Sequence, residues 1–140
     1  MLILISVFLF PGIAWVQEYA AMMKNVSGSV DIQRQTTRIT AKKGMYLEKE
    51  DVLVSGDNGY AGIMFTDGTV ITIGPKTEFR IDNYVFSPDT EAYDFSFYLA
   101  KGSAVYNSGK ISTLSPESVK ITTPKATVGI RGTRFIIKVE

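Results

Sequence analysis

The sequence predicts an all-β single domain of many short, mostly antiparallel strands, arranged as a β-sandwich, a jelly roll or a β-roll. Three observations carry this. Apolar and polar residues alternate with period two from Ser27 onward. Turn-forming pairs recur at intervals of roughly 8–12 residues, the spacing of sandwiches and barrels. No segment after residue 25 keeps helical spacing for three turns.

The chain opens on an uncharged apolar run, Leu2 to Val16. It falls short of the ~20 apolar residues a spanning helix needs and fits a secretory core of roughly 7–15 residues. Pro11-Gly12 breaks it, and Gly12-Ile13-Ala14 suits cleavage after Ala14. Residues 1–16 are therefore expected to be a signal peptide or a short uncleaved anchor, although no Lys or Arg precedes the run. The alternative is a buried strand or helix of the domain itself. Residues 17–26 read as a linker or a helical turn, and residues 27–140 as the β domain.

Within that domain Ala61, Ile63 and Phe65 share one face, and Asp67-Gly68 turns the chain into Val70–Ile73. Asp-Gly between two alternating runs is a strong hairpin signal, because Gly accepts positive φ without steric cost. Phe79 and Ile81 alternate with Arg80 and Asp82. Tyr93, Phe95, Phe97 and Leu99 give the clearest half-buried strand, followed by a turn at Lys101-Gly102. Val119 and Ile121 form another, and Thr133, Phe135, Ile137 and Val139 share the last face.

Composition narrows the chemistry. The chain has no Cys and no His, which removes disulfides, thiolate nucleophiles, the usual zinc ligands and every His-based triad. A net charge of +1 supplies no field for nucleic acid. Asp57, Asp67, Glu78 and Asp82 could in principle form a glycosidase-like pair. Turn aspartates usually cap backbone amides instead. The Asp57-Asn58-Gly59 loop lacks the spaced oxygens of a calcium loop.

Leu53-Val54-Ser55-Gly56, Gly59 to Thr69 (GYAGIMFTDGT) and Ile73-Gly74-Pro75-Lys76-Thr77 resemble the central signature of FecR-like domains. Ala100-Lys101-Gly102-Ser103-Ala104 is similar to the family's Lys-Gly segment. Thr123 to Phe135 (TPKATVGIRGTRF) resembles its closing hallmark. The likeness runs from about Val30 to Val139. It departs at Glu50-Asp51, where the family usually has Gly-Asp, and at Ala104-Val105, where an Arg is missing. FecR-like domains usually continue past the last strand, so the resemblance implies a domain cut short at its C-terminus and an open edge there.

The residues carrying the resemblance are Gly56, Gly59, Asp67, Gly68, Gly102, Thr123, Pro124, Gly129, Arg131, Gly132, Thr133 and Phe135, and structural roles are expected for them. Gly129 and Gly132 bracket Arg131 and would permit positive φ or close strand approach. Arg131 is expected to turn inward onto Asp67 or Asp51 and hold the last strand in register, rather than to meet a ligand.

The resemblance implies a non-enzymatic, exported domain without cofactor or metal, acting in binding or signal transduction in the periplasm or at the cell surface. The expected partner is an envelope protein, with membrane contact only through an uncleaved N-terminal segment. The alternative is a glycan or peptidoglycan binding module, or less favoured, a carboxylate-based glycan hydrolase. Either would show an exposed aromatic pair beside carboxylates, with Tyr60, Tyr84, Tyr98 and Tyr106 as candidates. In a plain sandwich at least half of these are expected to be buried or half-buried.

Overall fold

Alternation over short stretches, with β-branched and aromatic residues on the inner positions, leaves extended backbone as the way to bury one face. The computed structural model describes residues 7–12 and 19–140. The strands run β1 (Ala21–Ser27), β2 (Val30–Arg34), β3 (Thr37–Thr40), β4 (Tyr46–Leu47), β5 (Val52–Ser55), β6 (Tyr60–Phe65), β7 (Val70–Ile73) and β8 (Glu78–Ser87). They continue with β9 (Ala92–Asn107), β10 (Val119–Thr122), β11 (Thr127–Gly129) and β12 (Arg134–Val139). One short helix, α1 (Lys110–Leu114), and two 3₁₀ turns complete the described elements. The all-β expectation holds.

The strands form one curled sheet in the order β3-β2-β5-β8-β9-β7-β6-β1-β4, with β10 and β12 also pairing with β9. Every ladder is antiparallel except β10 against β9, which is parallel. The curl comes from β9. Its first part pairs with β8 and β10, while residues 102–107 pair with β7 and β12. One strand thus belongs to two layers. Gly102 sits at the crossing with φ +91, in the left-handed region that Gly adopts freely.

The inner faces of the two layers close on aromatic rings. Phe65 meets Phe95 edge-on with centroids 4.6 Å apart, and Phe95 also contacts Tyr84, Phe97 and Tyr106. Tyr106 stacks on Phe135 of β12 at 4.7 Å. Phe65, Phe95, Phe97 and Tyr106 are essentially inaccessible. Removing such a ring from water contributes roughly 1.5–3 kcal/mol.

Three local expectations are corrected. The proposed linker over 17–26 contains most of β1, which pairs with β6 in the register Ala21↔Phe65 and buries Met23 completely. Its pattern is too short to signal a strand alone, and long-range pairing decides it. Lys101-Gly102 is not a turn but lies inside β9. Gly129 keeps an ordinary φ, so only Gly132, at φ +132, uses the left-handed side. The cleavage position after Ala14 and most of the apolar Leu2–Val16 run lie outside the described residues. Among the described residues no helix is long and apolar enough to cross a membrane.

Candidate interaction surface

Most of the motif residues close the fold. Asp67 is buried in the β6–β7 turn, where its carboxylate accepts from Thr69 N–H (3.1 Å), Thr69 Oγ1 (2.8 Å), Ile111 N–H (3.1 Å) and Tyr84 OH (3.1 Å). Its own N–H donates to the Tyr84 hydroxyl at 2.9 Å. The turn is thereby fastened to α1 and β8. Gly68 carries φ +90 in open space, as the hairpin requires. Burial pushes the Tyr84 hydroxyl far above the usual phenol range, with Asp67 beside it acting in the same direction.

A second clasp joins Ser55, Thr77 and Gly102. Ser55 Oγ donates to Gly74 O at 2.6 Å and accepts from Thr77 N–H at 2.9 Å. Thr77 Oγ1 accepts from Ser103 N–H at 3.0 Å, and a Cβ on Gly102 would overlap that same hydroxyl. Gly56 and Gly59 lie where the β5–β6 turn passes Ser29, and a Cβ on Gly59 would overlap the Ser29 carbonyl. Thr123 and Pro124 form the β10–β11 turn, closed by Thr123 N–H donating to Ala126 O at 2.8 Å.

The expected seat of Arg131 is taken. Asp51 is buried and held by Arg34, whose Nε and Nη2 reach its two oxygens at 3.0 and 2.8 Å, while Glu48 N–H donates to it at 2.8 Å. The side-chain hydrogen bond from Arg34 to Asp51, ahead of the attraction of Asp51 and Glu48, raises the Arg34 pKa against the opposing effect of burial. Asp67 is saturated by turn donors. Arg131 is instead exposed, within electrostatic reach of Glu117. Serine and backbone hydrogen bonds, and Arg131 to a lesser degree, draw the Glu117 carboxyl below its ordinary value.

Where the inward-turning arginine was expected, the chain crosses from one layer to the other through Gly129 to Thr133, leaving an open apolar groove of about 210 Å³. Ile121, Val128, Ile130, Phe135 and Ile137 line it, with Arg131 at its mouth. Ile130 is buried beneath it, while Val128 is 53% exposed. Beside the groove, among the described residues, β12 pairs with β9. Of the twelve motif residues, Thr123, Gly129, Arg131 and Phe135 line this groove, and Gly132 and Thr133 complete the crossing.

The candidate tyrosines divide as a sandwich requires: Tyr106 is buried, Tyr84 and Tyr98 are half-buried, and Tyr60 is exposed. An unpredicted pair, Tyr19 and Tyr46, stacks on the surface at 4.2 Å, with Arg34 Nη2 donating to the Tyr46 carbonyl. Among the described residues no group of three or more acidic side chains is arranged to hold a metal ion.

A family model described as "FecR protein" matches residues 51–140, well over half of the chain. The chain belongs to the FecR family. The FecR match begins at Asp51, so it covers the hairpin clasp, the layer crossing at Gly102 and the groove, and leaves β1–β4 outside. No curated protein matches. A solved structure described as a cell surface anchoring domain is similar over 44% of this chain and 83% of its own, at 24% identity and TM-score 0.42. That likeness is too distant to bear on function.

Proposed function

We propose that this FecR-family chain is a non-enzymatic module of the cell envelope, exported to the periplasm or cell surface. It works there in binding or signal relay, through contacts with a protein partner. The observation that carries this is the exposed corner of the family hallmark. Gly129 to Phe135 leave an apolar groove at the surface, whereas Gly56, Gly59, Asp67 and Gly68 lie in turns and Gly102 lies inside β9. Exposed apolar concavities bounded by polar groups are where proteins meet partners. The family's regulatory, non-catalytic character supports the same reading.

The test is photo-crosslinking in intact cells. A photoreactive residue in place of Val128 is expected to give an adduct with an envelope protein, and the same residue in place of Arg38 on β3 to give none. Absence of any adduct, with the protein pelleting on peptidoglycan, overturns the proposal.

The stacked Tyr19–Tyr46 pair beside Arg34 favours a second reading, in which the module binds an envelope glycan by ring stacking. Sedimentation with purified peptidoglycan separates the two. Loss of pelleting in Tyr46→Ala supports glycan binding, and no pelleting of the unaltered protein excludes it.

A further inference from the structure

We infer that the outer face of β1, β4, β6 and β7 docks onto an anionic lipid surface. This goes beyond the protein contact proposed above and uses other strands.

Register places the face. Met22 lies opposite Tyr46 on one side and Met64 on the other, and Met64 lies opposite Val70. Their strand neighbours Ala21, Met23, Leu47, Ile63, Phe65 and Ile71 are buried, so these four side chains point outward. Tyr19 stacks on Tyr46 at 4.2 Å, and both rings, with Met22 and Met64, line a shallow depression of about 380 Å³. An antiparallel sheet ordinarily turns polar residues to water on its free face. The other layer does so with Asp31, Gln33, Arg80 and Asp82. Here the outward row is apolar across four strands, and Tyr46 is 53% exposed. A contiguous apolar patch of this kind marks a contact site.

Charge says what it contacts. The four strands contain no Asp or Glu. Lys24, set in a bulge of β1, is exposed, and Lys42, Lys43 and Lys49 stand exposed in the connections on either side of β4. Of the carboxylates in the connecting turns, Asp67 is buried and Glu48 is paired with Arg34 at 3.5 Å. Glu50 and Asp57 are exposed beyond the strand ends, and Glu18 lies outside the described residues. An apolar row with stacked tyrosines and a lysine rim suits the boundary of a bilayer. Methionines and rings enter the acyl region, tyrosine hydroxyls stay wet, and lysines reach the phosphates. The chain also enters this face from its apolar N-terminal run, in which Val7, Phe8, Leu9 and Phe10 are exposed. One lipid surface can take both.

The test exploits the absence of Cys, since one introduced thiol labels one place. An environment-sensitive fluorophore is attached to Tyr46→Cys in the full chain, and to Arg38→Cys on β3 of the other layer as the control. Vesicles are an equimolar mixture of phosphatidylcholine and phosphatidylglycerol carrying a quencher in the acyl chains. The probe at residue 46 is expected to shift to the blue and be quenched, and the probe at residue 38 to do neither. Lys24→Glu with Lys42→Glu and Lys43→Glu, all at exposed positions, should weaken vesicle binding at least about tenfold, as should phosphatidylcholine alone. Should Tyr46→Cys fail to fold, Met64→Cys carries the probe instead. Protein that floats with the vesicles while the face probe stays unquenched overturns the inference, because the N-terminal run then holds the chain by itself. So does quenching indifferent to the lysine variant and to lipid charge. A dimer in lipid-free sedimentation that Met64→Glu dissolves also overturns it, since the face would then belong to a second copy.

Discussion

Asp67 carries the most hydrogen bonds of any side chain in the hairpin clasp. Its four donors come from Thr69 in the turn, from β8 and from α1. Asp67→Asn would point an amide donor at these donors, and the urea midpoint should fall by the equivalent of about 2–4 kcal/mol. Tyr84→Phe removes a hydroxyl that also contacts Thr66 at 3.0 Å, and should cost about 1–2 kcal/mol. The same variant has a pH signature. The folded hydroxyl holds its proton more tightly than the unfolded one, whose value is 10.0. Stability from this group is complete below pH 10 and declines as pH rises beyond it. Tyr84→Phe should therefore flatten the alkaline loss seen in pH-dependent melting. Glu50 stands where the family usually has Gly, at φ +73, and Glu50→Gly should stabilise by up to about 1 kcal/mol in the same urea assay. At this scale the hairpin was legible because Asp67 and Gly68 act on their neighbours. The Arg34–Asp51 pair was not, since its members lie 17 residues apart and Arg34 belongs to no motif. Arg131 was misread for a related reason: Asp51 is taken by the distant Arg34, and Asp67 by Tyr84 and Ile111 as well as by its neighbour Thr69.

Two glycines with nearly equal φ separate conformational strain from crowding. Gly68 and Gly102 sit at +90 and +91, but only Gly102 has a neighbour where a Cβ would go. Gly68→Ala should cost about 1 kcal/mol, the strain of a left-handed alanine. Gly102→Ala should cost at least about 3 kcal/mol, because Thr77 must also move and its bonds to β9 must break. Paired denaturation curves would measure the difference. The alternation from Tyr93 to Leu99 announces β9, but Lys101-Gly102 reads as a turn. Sequence pattern does not distinguish a glycine that ends a strand from one that lets it bend. β1 was hidden by a different cause, since it exists through its register with β6 and its own pattern is brief.

For the whole molecule, alternation was enough to give the class, and the missing His and Cys narrowed the chemistry. The order of strands was not legible, because it depends on β9 serving both layers. That arrangement sets where the molecule opens. Hydrogen exchange should be slowest at Phe95–Tyr98 and Ala104–Asn107 of β9, which have neighbours on both sides. It should be fastest in β3, β11 and β12, which each pair on one side only. Uniform exchange along β9 and β12 would contradict this.

Because a single strand threads both layers, the protein has no internal line along which it could be divided. Breaking the chain anywhere from Ala92 to Asn107 should leave two fragments that remain unstructured apart and do not reassemble. A nick at the exposed Pro88–Glu91 bend, which lies before that strand begins, should be harmless.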